Sequence, residues 1–262
     1  MKINKIYNEN CLETMSRMED NFIDLTVTSP PYDNIRTYNG YLFDFKSIAK
    51  ELYRITKNGG VVVWVVNDAT INGCETGTSF KQALKFIECG FNLHDTMIWD
   101  KKTFTATGSL KVRYAPVFEY MFILSKGKCK TFNPIKDKKN KTFGISFATS
   151  TVRQKDGTTK PLSNKEGAIV KEFGQRHNIW HISTAKPIGN HPATFPEKLA
   201  NDHIISWSNK NDLVYDCFMG SGTTAKMSLL NNRKYIGSEI SKEYVDIANK
   251  RIEKHKTQLR LL

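Results

Sequence analysis

Long apolar runs are missing. The longest, Gly59 to Val66, is far shorter than the roughly 20 residues that cross a bilayer, and the opening MKINKIYNEN holds no apolar signal core. A cytoplasmic protein with no membrane partner is expected. Paired cysteines are missing too: Cys11, Cys74, Cys89, Cys129 and Cys217 are odd in number, dispersed and free of any CxxC, which argues for reduced thiols and against a disulfide framework or a thiolate zinc site. His177 and His181 stand four apart with no glutamate in an HExxH pattern between them, so no metal is expected and surface or phosphate contacts suit them better. There is no internal repeat. What is present is 262 residues, 39% hydrophobic and 25% charged, enough for a sizeable core and unlike a disordered chain.

Acidic residues are the scarce charge. Lys and Arg number 39 against 26 Asp and Glu, a net +13. Between Lys126 and Lys171 alone, 12 basic residues face 3 acidic ones, so most of the excess lies in one middle segment. A polyanion, nucleic acid first, is the partner such a surface fits; a solvated lysine-rich loop is the alternative.

The pattern on either side of that segment alternates strand and helix. IDLTVT (Ile23 to Thr28) is short and β-branched, and Ser29, Pro30 and Pro31 end it. Phe45, Ile48, Ala49, Leu52 and Ile55 recur at helical spacing, with Asn58, Gly59 and Gly60 as an expected stop. VVVWVV (Val61 to Val66) is apolar on both faces, as a strand covered by helices on both sides must be. Phe80, Ala83, Leu84 and Ile87 predict another short helix, with Gly90 just beyond it. Thr96 to Trp99 and Val117 to Leu124 predict two further strands, joined as a hairpin by the loop between them. From about Ser125 to Pro187 no periodicity is sustained, but Phe132, Phe143, Phe147, Phe173 and Trp180 interleave the charge, which points to partial ordering against the body or a ligand. The rhythm then resumes with a helix from Pro196 to Trp207, a strand LVYDCF (Leu213 to Phe218), a glycine turn into a helix, a strand KYIGSEI (Lys234 to Ile240) and a final helix carrying Tyr244, Val245, Ile247, Ala248 and Ile252. One doubly wound α/β sheet assembled from both ends is expected.

Two motifs carry chemistry. Asp216, Cys217, Phe218, Met219, Gly220, Ser221, Gly222, Thr223 and Thr224 stand where a strand gives way to a helix; glycines there let the backbone approach a ligand, and Glu239 at the end of the next strand can accept from both hydroxyls of a ribose. The same GxGxxA spacing fits a dinucleotide or an incidental structural turn. Thr28, Ser29, Pro30, Pro31 and Tyr32 form the second. Two prolines keep the Pro30 carbonyl out of a ladder, and an acceptor carbonyl beside a hydroxyl and an aromatic ring suits a flat base with an exocyclic amine.

With both motifs present, the chain resembles the S-adenosylmethionine-dependent DNA amino-methyltransferases in which the catalytic motif precedes the cofactor loop. TSPPY is similar to that family's catalytic tetrapeptide and its flanks, and DCFMGSGTT to its cofactor loop, with Cys217 in place of a common proline. The resemblance implies a Rossmann-like doubly wound methyltransferase sheet. It implies Ser29, Pro30, Pro31 and Tyr32 as catalytic. For S-adenosylmethionine it implies Asn10 and Cys11 near the adenine, Glu239 on the ribose, Thr194 and Phe195 from HPATFPEKL on the methionine side, and Thr28, Asp216, Phe218, Gly220, Ser221, Gly222 and Thr223 around the loop. FEYMFILSK (Phe118 to Lys126) is similar to the strand that backs the target-base pocket. Residues 1–125 and 187–262 would be the catalytic and cofactor halves of one domain, and the basic insert, 126–186, would be the target-recognition region, with Lys138, Lys139, Lys141 and Arg153 as candidate phosphate contacts.

The reaction so implied is metal-free methyl transfer to the exocyclic amine of a base flipped out of double-stranded DNA. Carbon-5 methylation would need a cysteine in the catalytic loop, and there is none. Ser before PPY favours cytosine N4, with adenine N6 as the alternative. A nicotinamide dehydrogenase, a catalytically silent DNA-binding module and an RNA substrate are competing expectations. A cognate restriction endonuclease and a homodimer are further partners that the resemblance allows.

Overall fold

The computed structural model describes residues 1–31, 43–103, 110–146, 151–161, 168–185 and 196–259, with 255–259 described by backbone alone. Tyr32, Thr194 and Phe195 lie outside the described residues. Two compact units emerge, Met1–Asn133 together with Asn178–Leu262, and Pro134–His177.

The first unit begins with β1 (Lys5–Tyr7), α1 (Cys11–Ser16), β2 (Ile23–Thr28), α2 (Phe45–Ile55) and β3 (Thr56–Val66). A small hairpin of β4 (Thr70–Ile71) and β5 (Cys74–Glu75) leads to α3 (Thr78–Glu88), β6 (Asn92–Asp100) and β7 (Phe118–Ser125). The second unit holds β8 (Lys138–Lys139) paired with β11 (Phe173–Gly174), and a hairpin of β9 (Thr151–Arg153) and β10 (Thr159–Pro161). The first unit resumes with β12 (Ile179–His181), α4 (Glu197–Trp207), β13 (Leu213–Asp216), α5 (Thr223–Leu230), β14 (Lys234–Ser238) and α6 (Lys242–Leu259).

Eight of these strands form one sheet in the order β1-β14-β13-β2-β3-β7-β6-β12. Every neighbouring pair is parallel except those made by β7, which runs against β3 and β6. Alternation along β3 explains the two core layers. Val62, Trp64 and Val66 pack with Ile48, Leu52, Ile55 and Phe86 of α2 and α3, while Val61, Val63 and Val65 pack with Leu199, Ala200 and Ile204 of α4. The expected doubly wound α/β fold is therefore present. From the β13/β2 boundary the chain winds outward both ways, β2 through α2 to β3 and β13 through α5 to β14, which makes that boundary the switch point where such sheets open a crevice.

One local expectation is corrected. The helix α2 stops at Ile55, where Thr56 turns extended (ψ 132) and its hydroxyl donates to the Leu52 carbonyl at 2.5 Å; Asn58, Gly59 and Gly60 lie inside β3 instead, Gly59 at φ 87. Of the residues that mark α3, only Ala83 is buried. Phe80, Leu84 and Ile87 are exposed, and the buried face is Ser79, Gln82, Ala83 and Phe86. Polar residues can go inside here because their partners are there: Asp68 accepts from the Ser79 amide (2.9 Å) and hydroxyl (2.6 Å), and Trp64 Nε1 donates to Gln82 Oε1 at 2.7 Å. Trp180 orders against the body, as its place among the charged residues suggests: it is a core residue, its strand β12 closing the edge of the main sheet beside β6.

Candidate active site

Because β13 and β2 are parallel neighbours (Val214 opposite Leu25, Tyr215 opposite Thr26), the corners that follow them open on the same edge of the sheet. A buried hydrogen bond joins the two motifs across 188 residues of sequence: Thr28 Oγ1 donates to Asp216 Oδ1 at 2.7 Å. The Phe218 amide donates to the same oxygen at 3.0 Å, and Cys217 Sγ lies 3.6 Å from Thr28 Oγ1. Burial raises the Asp216 carboxyl above its ordinary value, against the pull of Thr28, Phe218 and Thr224.

The glycine corner is tied down by side chains from other elements. Gly220 and Gly222 both have positive φ (50 and 83), which a side chain would make strained. Glu239, just past β14, accepts from the Gly220 amide through Oε2 at 2.8 Å and from the Ser241 amide through Oε1 at 2.9 Å. Burial raises the Glu239 carboxyl, the Ser241 and Gly220 amides pull it back, and the Asp216 charge adds to the rise. Gly222 begins α5 against α6; a Cβ on it would stand 2.7 Å from Ala248 Cβ, so its absence is what lets the helices meet.

Sequence reasoning missed the brace beneath this turn. Arg251 Nη1 donates to the Ser221 carbonyl and to Ser221 Oγ (3.0 Å), while Nη2 donates to Glu197 Oε1 at 2.8 Å. Lys226 Nζ donates to the same Glu197 oxygen at 2.5 Å. Burial alone would raise Glu197, yet Lys226 and Arg251 hold it below the ordinary range. A signal was available: Val245, Ala248 and Ile252 are the buried stripe of α6, and Arg251 sits one turn from Ala248, against which the glycine turn packs.

Asn10 and Cys11 follow β1, the strand beside β14, and so share the edge with Glu239. The Glu239 amide donates to the Tyr7 carbonyl at 3.0 Å, and Asn8 Nδ2 to the Glu239 carbonyl at 2.9 Å. Asn10 caps α1 by accepting from the Leu12 amide at 2.9 Å, and burial pushes the Cys11 thiol up to about 12, which leaves it a neutral wall rather than a nucleophile. Phe218 is half-buried, its ring 5.8 Å from Phe43 and 6.2 Å from Trp64.

The proline corner is built differently. The ladder between β2 and β3 ends at Thr28 opposite Trp64; beyond it Pro30 is buried while Ser29 and Pro31 are half-buried. Thus Asn10, Cys11, Thr28, Ser29, Pro30, Pro31, Asp216, Phe218, Gly220, Ser221, Gly222, Thr223 and Glu239 all lie at or just past the carboxyl ends of four adjacent strands. In the second unit, Lys138 and Lys139 form β8, Lys141 is exposed just after it, and Arg153 is exposed at the end of β9. There Arg176 pairs with Asp137, Nε at 3.0 Å from Oδ2. His181 Nδ1 lies 2.6 Å from Asp100 Oδ2 at the end of β12, and no three metal-ligating side chains cluster among the described residues.

Comparison with known proteins agrees with this geometry. Residues 23–250 match the model of the DNA methylase family of N6/N4 methyltransferases. The orphan methyltransferase M.BamHII of Bacillus amyloliquefaciens is 58% identical over 241 residues, 89% of this chain and 89% of that one. Among solved structures, the PvuII DNA methyltransferase, titled cytosine-N4-specific, superposes with a TM-score of 0.69 at 22% identity, covering 94% of this chain and 85% of that one. The M1.HpyAVI-SAM complex superposes with a TM-score of 0.60 at 21% identity, covering 94% and 98%.

Proposed function

The chain belongs to the DNA methylase family of N6/N4 amino-methyltransferases, enzymes that draw their methyl group from S-adenosylmethionine, and on that premise we propose that it methylates the exocyclic amine of a base flipped out of double-stranded DNA, cytosine N4 before adenine N6. The observation that carries the proposal is the Thr28–Asp216 hydrogen bond, which fixes the base corner and the cofactor corner on one edge.

The residues present fit the cofactor. Each Glu239 oxygen accepts one amide and keeps a second lone pair for a ribose hydroxyl, while two glycines with positive φ bare the backbone of the turn. Asn10 and Cys11 would border the adenine, and Phe218 would offer its ring. When bound, the sulfonium supplies a methyl group already carried on a good leaving group. Ser29 and the Pro30 carbonyl would accept the two amino hydrogens of the base, turn the nitrogen lone pair out of conjugation and stabilise the positive charge that develops on it. Tyr32 would stack on the base. Ser29 before the prolines supports cytosine. Lys138, Lys139, Lys141 and Arg153 would hold phosphates from the basic unit, as the target-recognition insert.

Among the described residues no helix is long and apolar enough to cross a membrane, and we place the enzyme in the cytoplasm, where its DNA is. A restriction endonuclease of the same specificity would be one functional partner; the relative's name, orphan methyltransferase, favours the other reading, an enzyme that works without a cognate endonuclease. A homodimer is part of the same reading. The test is to incubate the protein with unmodified DNA and labelled S-adenosylmethionine, digest to nucleosides and identify the product by mass. N4-methylcytosine is expected; N6-methyladenine would overturn the base, and label confined to RNA would overturn the substrate class.

A further inference from the structure

The connection between β6 and β7 leaves the sheet at the same edge as the proline corner, since Asp100 ends β6 opposite Phe118 at the start of β7, and β3 ends there too. It is closed at its base, where the Lys101 amide donates to the Val117 carbonyl at 2.8 Å. It is tethered once more: Arg113 donates to Thr70 Oγ1 at 3.0 Å and to the Gly73 carbonyl, both in the hairpin that follows β3. β3 is the neighbour of β2, so this tether draws the segment toward the side where the base corner opens.

What the segment presents is unusual for a surface. Tyr114 is 99% exposed and Val112 79%, with Leu110 exposed beside them. From Lys101 to Phe118 there are four basic residues and no acidic one. A basic strip against a second basic strip would repel, so a second copy of the chain is a poor occupant, whereas a polyanion bearing flat apolar rings matches both features.

We propose that Tyr114 inserts into the DNA duplex beside the target site, stacking in the gap that the flipped base leaves, with Val112 against the neighbouring step. This inference rests on the base-flipping reading above. Extrusion of a paired base leaves unstacked neighbours, and an inserted ring restores one stacking surface, which lowers the free energy of the extruded state without touching the transferred methyl group. Tyr114 is thus a positioning residue, acting through the base equilibrium.

The test uses the full chain and a duplex carrying its target sequence, first mapped by sequencing methylated plasmid. Two substrates are compared, one with the target base normally paired and one with it opposite an abasic site, where extrusion is already easy. Tyr114→Ala should lower kcat/KM on the paired duplex by about tenfold to a hundredfold. It should lower it by less than about threefold on the abasic-opposed duplex, with cofactor affinity and melting temperature unchanged, and Tyr114→Phe should behave as wild type. Equal loss on both duplexes, or no loss on either, would overturn the inference while wild-type activity leaves the functional reading standing. Conversion of a dimer to a monomer by Tyr114→Ala would also overturn it, naming a second copy as the occupant. A wild-type protein that methylates no DNA would bring down the functional reading, and this inference with it.

Discussion

The two corners that meet at the β13/β2 boundary are made rigid by opposite means. The glycine corner bends into backbone angles that only glycine takes without strain, and partners far away in sequence hold it: Glu239 on the Gly220 amide, Arg251 on Ser221, Ala248 against Gly222. The proline corner is stiff by covalent structure, for neither Pro30 nor Pro31 has an amide hydrogen to place. The first is over-determined and intolerant. The second, on the proposed reading, would offer its acceptors to a base that has to enter and leave.

Substitution should separate the two most sharply at Gly222. Gly222→Val adds positive-φ strain and a clash with Ala248, about 3 kcal/mol together, and calorimetry should find the melting temperature lower by about 6–12 °C. Pro31→Ala should lose less than about 1 kcal/mol; a comparable loss at both positions would erase the contrast. Next comes Arg251→Ala, which strips Ser221 of its brace and leaves Glu197 with Lys226 alone. Cofactor affinity by titration calorimetry should weaken about tenfold, the equivalent of one charged hydrogen bond, with DNA affinity unchanged.

Acidity sharpens the same contrast. Burial raises both Asp216 and Glu239. Raised carboxylates add to folding stability at low pH and lose that contribution as pH climbs through their raised values. On the proposed reading cofactor binding would run the other way, because a ribose held by Glu239 would need its ionised form. As pH falls toward the ordinary carboxylate range from above, S-adenosylmethionine affinity should drop before the fold does, and Glu239→Gln should flatten that profile around an affinity already weakened. The smallest effect belongs to the basic unit. Lys141→Ala should reduce the slope of log K against log salt by about 0.9 for DNA and leave stability within about 0.5 kcal/mol; an unchanged slope would remove Lys141 from the phosphate contacts.

How much of this could be read in the residues follows from how local each cause is. Strand β2 was legible end to end because β-branched residues favour it and prolines stop it within six positions. The edge shared by the two motifs was legible as an expectation of the fold class, and the parallel pairing of β13 with β2 realises it. The face of α3 was not legible: Gln82 is buried because Trp64, 18 residues earlier, supplies a donor, and no count of apolar spacing registers that. Gly59 and Gly60 read as a helix stop for a similar reason, since Thr56 had already ended α2 with its own hydroxyl. Arg251 escaped notice because its partners, Ser221 and Glu197, lie 30 and 54 residues away. Apolar periodicity finds layers; polar partnerships across the sheet become visible only when the layers are assembled.

The claim on which all of this turns is that the proline corner acts on the base while the glycine corner holds the methyl donor. Single-turnover methyl transfer by Ser29→Ala, measured beside its affinity for S-adenosylmethionine, tests it directly. Transfer should fall about a hundredfold with cofactor affinity within about twofold of wild type. Transfer that is undiminished, or that falls only in step with lost cofactor affinity, would contradict the division between the corners.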